Sequence, residues 1–356
     1  MAISHPSTPR SVTVMTRLSV LDQTPVIDGH SVADAIAATL ELAQLADDLG
    51  YTRYWCAEHH GLRAVSNPCP EVMLARLGSL TKRIRIGAGG VMLPYYSPFK
   101  VAEQFLMLEA LFPNRIDLGV GRAPGSDMRT AQAVAAGQYN RGEIFAQQVA
   151  DLVALMSDEL APDHLAQGVL LQPQIATRPQ LWMLGSSDFG GMLAARLGMR
   201  FAFAHFINAH FGHRVGQAYR DHFTLSHEAK PYLATAVFVI CADTEQQAQD
   251  LERAVDLRRV QMAYGLNVPI PSIEQGRWQE FGEHDQLVID REKPRSIIGT
   301  PQSVTARLAE LKDQFNADEL IVLTVAGSYR ARLRSYELLA QAFELGRSTP
   351  PATDPH

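Results

Sequence analysis

The sequence predicts a (β/α)8 TIM barrel with inserted loops, and three observations lead there. Eight short apolar runs, near residues 18, 51, 84, 115, 181, 200, 233 and 319, recur along the 356-residue chain. Each is followed or preceded by a segment with apolar residues at helical spacing, the alternation of parallel strands with crossover helices. No G-x-G-x-x-G follows the first run, which weakens the open dinucleotide-binding sheet as the competing architecture. Eight such units in one chain fit a closed barrel. No linker or short repeat divides them, so a single domain over 17–356 is expected after a disordered leader, 1–16, rich in Ser, Thr and Pro.

Leu18 to Leu21 opens the fold as a strand, closed by Asp22-Gln23-Thr24-Pro25. Ser31 is placed to cap a helix that presents Ala35, Ala38, Leu42, Leu45 and Ala46 on one face, and Gly50 stops it. Tyr51 to Ala57 is the second strand, with Glu58-His59-His60 at its end. A loop through Asn67-Pro68 leads into a helix over 71–80. Ile84 to Gly90 then ends in GAGG, where no side chain larger than methyl projects and a flat group or another backbone can approach closely. Val101, Phe105, Leu108 and Leu111 mark the helix that follows, and Ile116 to Val120 is a strand that stops at Gly121-Arg122. The polar stretch 123–142 is expected as a lid-like loop.

The second half repeats the pattern. A helix over 143–157 precedes a strand from Leu181 to Leu184, after which Gly185-Ser186-Ser187-Asp188 opens a helix over 189–198. Arg200 to Phe206 and Leu233 to Ile240 are strands, backed by helices over 209–223 and 244–262. Residues 263–297 have no clean period and are expected as an inserted excursion. Pro301 to Phe315 is helical, Glu319 to Val325 is the last strand, and Ala331 to Leu345 closes the chain as a helix.

Composition narrows the function. Hydrophobic residues make up 46% and charged residues 20%, as in ordinary globular proteins. A net charge of −6 argues against general attraction to nucleic acid or anionic membranes. Cys56, Cys69 and Cys241 are scattered and odd in number, so neither a disulfide framework nor a Cys-x-x-Cys metal motif is present. The leader lacks an apolar core of signal-peptide length and no run is long enough to span a bilayer, so a cytoplasmic location is expected.

A barrel carries its active site at the carboxyl ends of its strands. That rule selects Glu58, His59, His60, Gly89, Gly90, Arg122, Gly185, Ser186, Ser187 and Asn208. A metal centre is disfavoured: neighbours in extended backbone point to opposite sides, so Glu58, His59 and His60 cannot all converge on one ion. In the set His205, His210 and His213, only the last pair has helical spacing. An anion site fits better. Ser186-Ser187 lie where a strand turns into a helix, with free backbone N–H groups and hydroxyls, and Arg122 adds a fixed charge from another strand. The competing reading has Ser187 or Asp188 merely capping the helix.

Several separated stretches, in order, carry a resemblance: Trp55-Cys56-Ala57-Glu58-His59-His60, Asn67-Pro68, GAGGVMLPYYSPFKVAEQ, RIDLGVGRAPG and DELIVLT…ARLRSYELLA. Together they resemble the bacterial luciferase-like flavin monooxygenases, and the match runs from Leu18 to Leu345. The resemblance implies a (β/α)8 barrel, usually a homodimer. It implies reduced FMN as cofactor, supplied by a separate NAD(P)H-dependent flavin reductase, and oxidation of an aldehyde or other small organic substrate with O2. Carried onto matching positions, it makes His59 the catalytic histidine and Gly89-Gly90 a non-proline cis peptide beneath the flavin ring. Arg122, Ser186 and Ser187, with Gly185 at the turn, hold the phosphate. Asp188 departs from this picture, because a carboxylate beside a phosphate repels it unless it turns away. The deazaflavin F420, moving hydride on the same barrel, is the alternative cofactor, and a flavin-binding protein without turnover is the non-enzymatic alternative.

Overall fold

A computed structural model of the chain describes residues 16–346 apart from 124, 140 and 141. The first half runs β1 (Arg17–Asp22), α1 (Val32–Leu49), β2 (Arg53–Cys56), α2 (Pro70–Leu80), β3 (Arg85–Met92), α3 (Pro98–Leu111), β4 (Ile116–Gly121), α4 (Met128–Val134) and α5 (Phe145–Met156). It continues through β5 (Gln180–Gly185), α6 (Asp188–Arg196), β6 (Arg200–Ala204), α7 (Gly212–Asp221), β7 (Leu233–Cys241) and α8 (Glu245–Ala263). The last part is α9 (Ile273–Trp278), α10 (Glu283–Glu292), β8 (Ser296–Gly299), α11 (Pro301–Phe315), β9 (Glu319–Leu323) and α12 (Tyr329–Ala342). Strands β1 to β7 pair in parallel in chain order, and β9 bridges β7 to β1. These eight strands close the (β/α)8 barrel.

Local signals account for most boundaries. Ser31 caps α1 in a reciprocal capping box with Asp34, and Gly50 ends it in the left-handed region at φ 87°. Helix α7 starts at Gly212, later than its periodicity suggests, because Phe211 before it sits at φ 59°. Two expectations need correction. The stretch 123–142 is not a plain loop: Asp127 accepts a hydrogen bond from Thr130 N and starts the short helix α4. Nor is 263–297 irregular. Ser272 and Gln275 form a capping box that opens α9, α10 follows, and β8 pairs with the outer end of β7, beyond the barrel. The helices here are too short for a helical period to emerge against their charged faces. Residues 1–15 of the leader expected at 1–16, and the last ten residues, lie outside the described residues.

Alternation along the strands sorts the barrel interior into layers. The floor, at the amino ends, is charged. Arg53 donates from Nη1 to Asp117 at 2.6 Å and from Nε to Glu319 at 2.7 Å. Arg85 adds a second pairing to Asp117 at 2.7 Å. The Trp55 indole N–H donates to Asp117 at 2.9 Å and the Tyr232 hydroxyl to Glu319 at 2.8 Å. The Ser19 hydroxyl also donates to Glu319. Burial works against ionisation of Asp117, but Arg53 and Arg85 together hold its carboxyl below the usual range. Above the floor Trp55 and Trp182 meet edge to face, ring centres 5.0 Å apart, and the Arg53 guanidinium lies 4.7 Å from the Trp182 ring centre. Toward the carboxyl ends the inward residues shrink to Ala57, Gly89, Gly121, Ala202, Ala204 and Ala236, and the space opens.

Removing one member of this buried network leaves its partners charged and unpaired. Arg53→Ala should therefore cost about 3–5 kcal/mol in urea unfolding. A loss below about 1 kcal/mol, the scale of an exposed ion pair, would show that the floor is not held by charge.

Candidate active site at the carboxyl end of the barrel

Beyond β2 the chain stays extended long enough to continue its alternation. Ala57 and His59 line the central cavity, while Glu58 and His60 turn away from it. Backbone bonds fix this stretch: His59 N donates to Asn67 O at 3.0 Å, and Asn67 Nδ2 donates to Ala57 O at 3.1 Å. Glu58 is buried and acts as a clamp. One of its oxygens accepts from Met92 N at 2.8 Å, and the other from the Tyr96 hydroxyl at 2.6 Å with His60 Nε2 at 2.7 Å. One carboxylate thus ties the end of β2 to the end of β3 and to the turn before α3.

The His59 ring is mostly enclosed. Burial pushes its pKa down to about 4, against a smaller upward pull from Glu58 and with a further lowering from His60. Its Nδ1 is buried and has no hydrogen-bond partner. At neutral pH the imidazole is therefore uncharged.

On β3 the Gly89–Gly90 peptide bond is cis. Side chains are excluded from both positions. A Cβ on Gly89 would lie 2.9 Å from Trp55 Cβ and from Leu21 Cδ1, and one on Gly90 would lie 2.8 Å from the Gly119 carbonyl oxygen. The bare backbone forms part of the cavity wall.

Across the cavity, β4 ends at Gly121 and delivers Arg122. Its guanidinium stacks 4.4 Å from the ring centre of Phe189, at the start of α6, and among the described residues it has no carboxylate partner. Ser187 occupies the cap position of α6, but its side chain makes no capping bond. The capping alternative for Ser187 is therefore not realised, and its hydroxyl and the first N–H groups of α6 are uncommitted. Asp188 is exposed and does not line the cavity. Asn208 supports the turn from behind, donating from Nδ2 to Ser186 O at 3.0 Å and accepting from His210 N at 3.0 Å.

All seven residues expected at the site, His59, Gly89, Gly90, Arg122, Gly185, Ser186 and Ser187, line this one cavity of about 600 Å³, within the range of small-ligand sites. Sequence reasoning missed Gln23, Tyr139, Phe189 and Phe206, which also line it. Gln23 had a usable signal, since it continues the inward period of Ser19 and Leu21. Phe189 had none, because its approach to Arg122 depends on the angle at which α6 leaves β5. Elsewhere, no three His, Cys, Asp or Glu side chains converge as metal ligands among the described residues. No helix among them is long and apolar enough to cross a membrane.

Known proteins share both the sequence and the fold. The family model for luciferase-like monooxygenases matches residues 11–317. An N-acetyl-S-alkylcysteine monooxygenase of Bacillus subtilis (strain 168) is 34% identical over 330 residues, covering 92% of this chain and 98% of that protein. The crystal structure of apo-MsnO8 superposes with a TM-score of 0.86 at 36% identity, covering 94% of this chain and 99% of that one. The oxygenating constituent of 3,6-diketocamphane monooxygenase from the CAM plasmid of Pseudomonas putida, solved in complex with FMN, shares the fold. Its TM-score is 0.65 at 17% identity, over 92% of this chain and 97% of that one. The chain belongs to the luciferase-like monooxygenase family.

Proposed function

We propose that the protein is a monooxygenase that uses reduced FMN and O2 to oxidise a small organic substrate. The observation that carries the reading is the division of one cavity into two unlike ends. Arg122, Ser186, Ser187 and the start of α6 offer a charge, hydroxyls and free N–H groups to a phosphate. Gly89 and Gly90 offer flat backbone to a ring, with His59 close by in sequence order of the strands. The FMN carried by a relative of the same fold supports the same choice. When bound, the reduced flavin supplies the electrons that activate O2.

In this reading the residues bind, orient and handle a proton. Arg122 neutralises the phosphate, and its stacking on Phe189 limits the rotamers it must give up on binding. Glu58 holds the Gly89–Gly90 segment and the His59 loop in register through Met92 N and Tyr96. The neutral His59 accepts at its ring nitrogen the proton released as substrate is attacked, or donates a hydrogen bond there. The apolar walls exclude water from the reacting groups. Supply of reduced FMN by a separate NAD(P)H-dependent reductase belongs to the same proposal.

Anaerobic calorimetry tests the cofactor. Reduced FMN should bind more tightly than reduced riboflavin, and Arg122→Ala should weaken FMN by about 1.5–3 kcal/mol, the scale of a charge-assisted hydrogen bond. Riboflavin affinity should not change in that variant. Equal binding of FMN and riboflavin would remove the phosphate site, and tighter binding of reduced F420 would replace the cofactor.

The protonation of His59 has a separate test. Its folded pKa of about 4 lies below the unfolded value of about 6.5. As pH falls through 6.5 towards 4, the unfolded chain takes up a proton that the folded chain refuses, so stability is lost across that window. His205, also lowered to about 4 by burial and His210, adds a slope of the same sign. His59→Gln should flatten the fall between pH 6.5 and 4 without abolishing it. An unchanged slope would mean that His59 titrates normally in the folded protein.

A further inference from the structure

The cavity wall facing away from the phosphate cradle holds one polar side chain with no assigned task. We propose that Gln23 is the side chain that orients the substrate, and that its wall selects an uncharged, largely apolar molecule with a single hydrogen-bonding group. The inference rests on the flavin reading, because it leaves the Arg122 end to the cofactor.

The placement follows from the topology. Around the closed barrel β1 and β5 stand diametrically opposite, four steps apart in the eight-strand order. Gln23, just past β1, therefore faces the end of β5 that carries Ser186 and Ser187. Its immediate neighbour is the end of β2, which carries His59. Alternation directs it inward: Ser19 meets Glu319 in the floor, Leu21 joins the inner apolar cluster, and Gln23 lines the cavity.

Chemistry then defines the ligand. Gln23 is half-buried, and its amide has no hydrogen-bond partner among the described residues. The amide opens into the cavity, where a ligand group can take the place of water as its partner. Around it the wall is Leu21, Trp55, Ala57, Ala236, Ile321 and Phe206, with no charge. The acidic groups that precede Gln23 and His59 in sequence are committed elsewhere. Asp22 is paired with Arg332 at 2.6 Å and accepts from Thr24 N at 2.6 Å, while Glu58 is the clamp described above. A charged substrate would lose its water here and gain no counter-charge. An amide, with both donor and acceptor, satisfies a carbonyl, hydroxyl or amide group instead. A ligand held there by its polar group lies beside His59, at the end of the cavity where the proton is handled.

The test uses probes of one chain length that differ only in the head group: octan-2-one, octanoate and octylammonium. They are titrated calorimetrically into the chain loaded anaerobically with reduced FMN. Octan-2-one should bind at least tenfold more tightly than either ion. Gln23→Leu should weaken it about tenfold, and Gln23→Asn should keep part of the affinity. Gln23→Glu should reverse the order so that octylammonium binds best. FMN affinity should be the same in all three variants, which separates this contact from a general loss of structure. Equal affinity for the three probes, no binding of octan-2-one, or no reversal in Gln23→Glu would overturn the proposal. Failure of FMN itself to bind would instead sink the flavin reading. The same series on the unliganded chain would then decide the role of Gln23 alone.

Discussion

Arg53 sits at the amino end of the barrel with almost no exposure, between Asp117 and Glu319, and the rest of the molecule is arranged around that enclosure. A guanidinium so deeply buried is tolerated only when its charge and its N–H groups are matched, and here two carboxylates, the Gln180 side-chain oxygen and two aromatic faces match it. The network joins β1, β2, β3, β4, β7 and β9 at their starts through Ser19, Arg53, Arg85, Asp117, Tyr232 and Glu319. It seals the floor with polar groups that have no capacity left for a ligand. The Trp55–Trp182 pair fills the next layer. Volume is left only where the inward residues become alanine and glycine, at the carboxyl ends. The location of the cavity is thus a consequence of what fills the other end.

Glu58 performs the corresponding task at the mouth. It is a buried carboxylate too, but its partners are a backbone N–H, a phenol and an imidazole. Three donors converge from β2, β3 and the turn before α3. Their effect is to tie the His59 loop to the end of the strand that carries Gly89 and Gly90. Preorganisation of this kind is worth more than the strength of any single bond in it.

Much of this was legible in the residues. The eight barrel strands follow from short apolar runs that alternate with segments of helical period, and the strand-end rule converts them into a site list of which all but Glu58, His60 and Asn208 line one cavity. The cis geometry at Gly89–Gly90 came from resemblance and from the absence of side chains there. Other features were hidden for physical reasons. The floor is built from Arg53, Asp117 and Glu319, each an ordinary charged residue in its own strand, and their meeting depends on register between strands far apart in sequence. Helix α4 is only seven residues long, too short for a period. The Ser272/Gln275 capping box that starts α9 was a readable signal masked by the charged, proline-containing stretch around it. The use of Gln23 depends on an amide left without a hydrogen-bond partner among the described residues, which no sequence displays.

We propose above all that a flavin occupies the open carboxyl half of the barrel in one orientation. A crystal structure of the chain grown with FMN tests it most directly. The account predicts the phosphate within hydrogen-bonding distance of Arg122, Ser186 and Ser187, and the ring against Gly89 and Gly90 with its far edge towards His59. A flavin with its phosphate at the Gln23 side, or bound outside this cavity, would contradict the account.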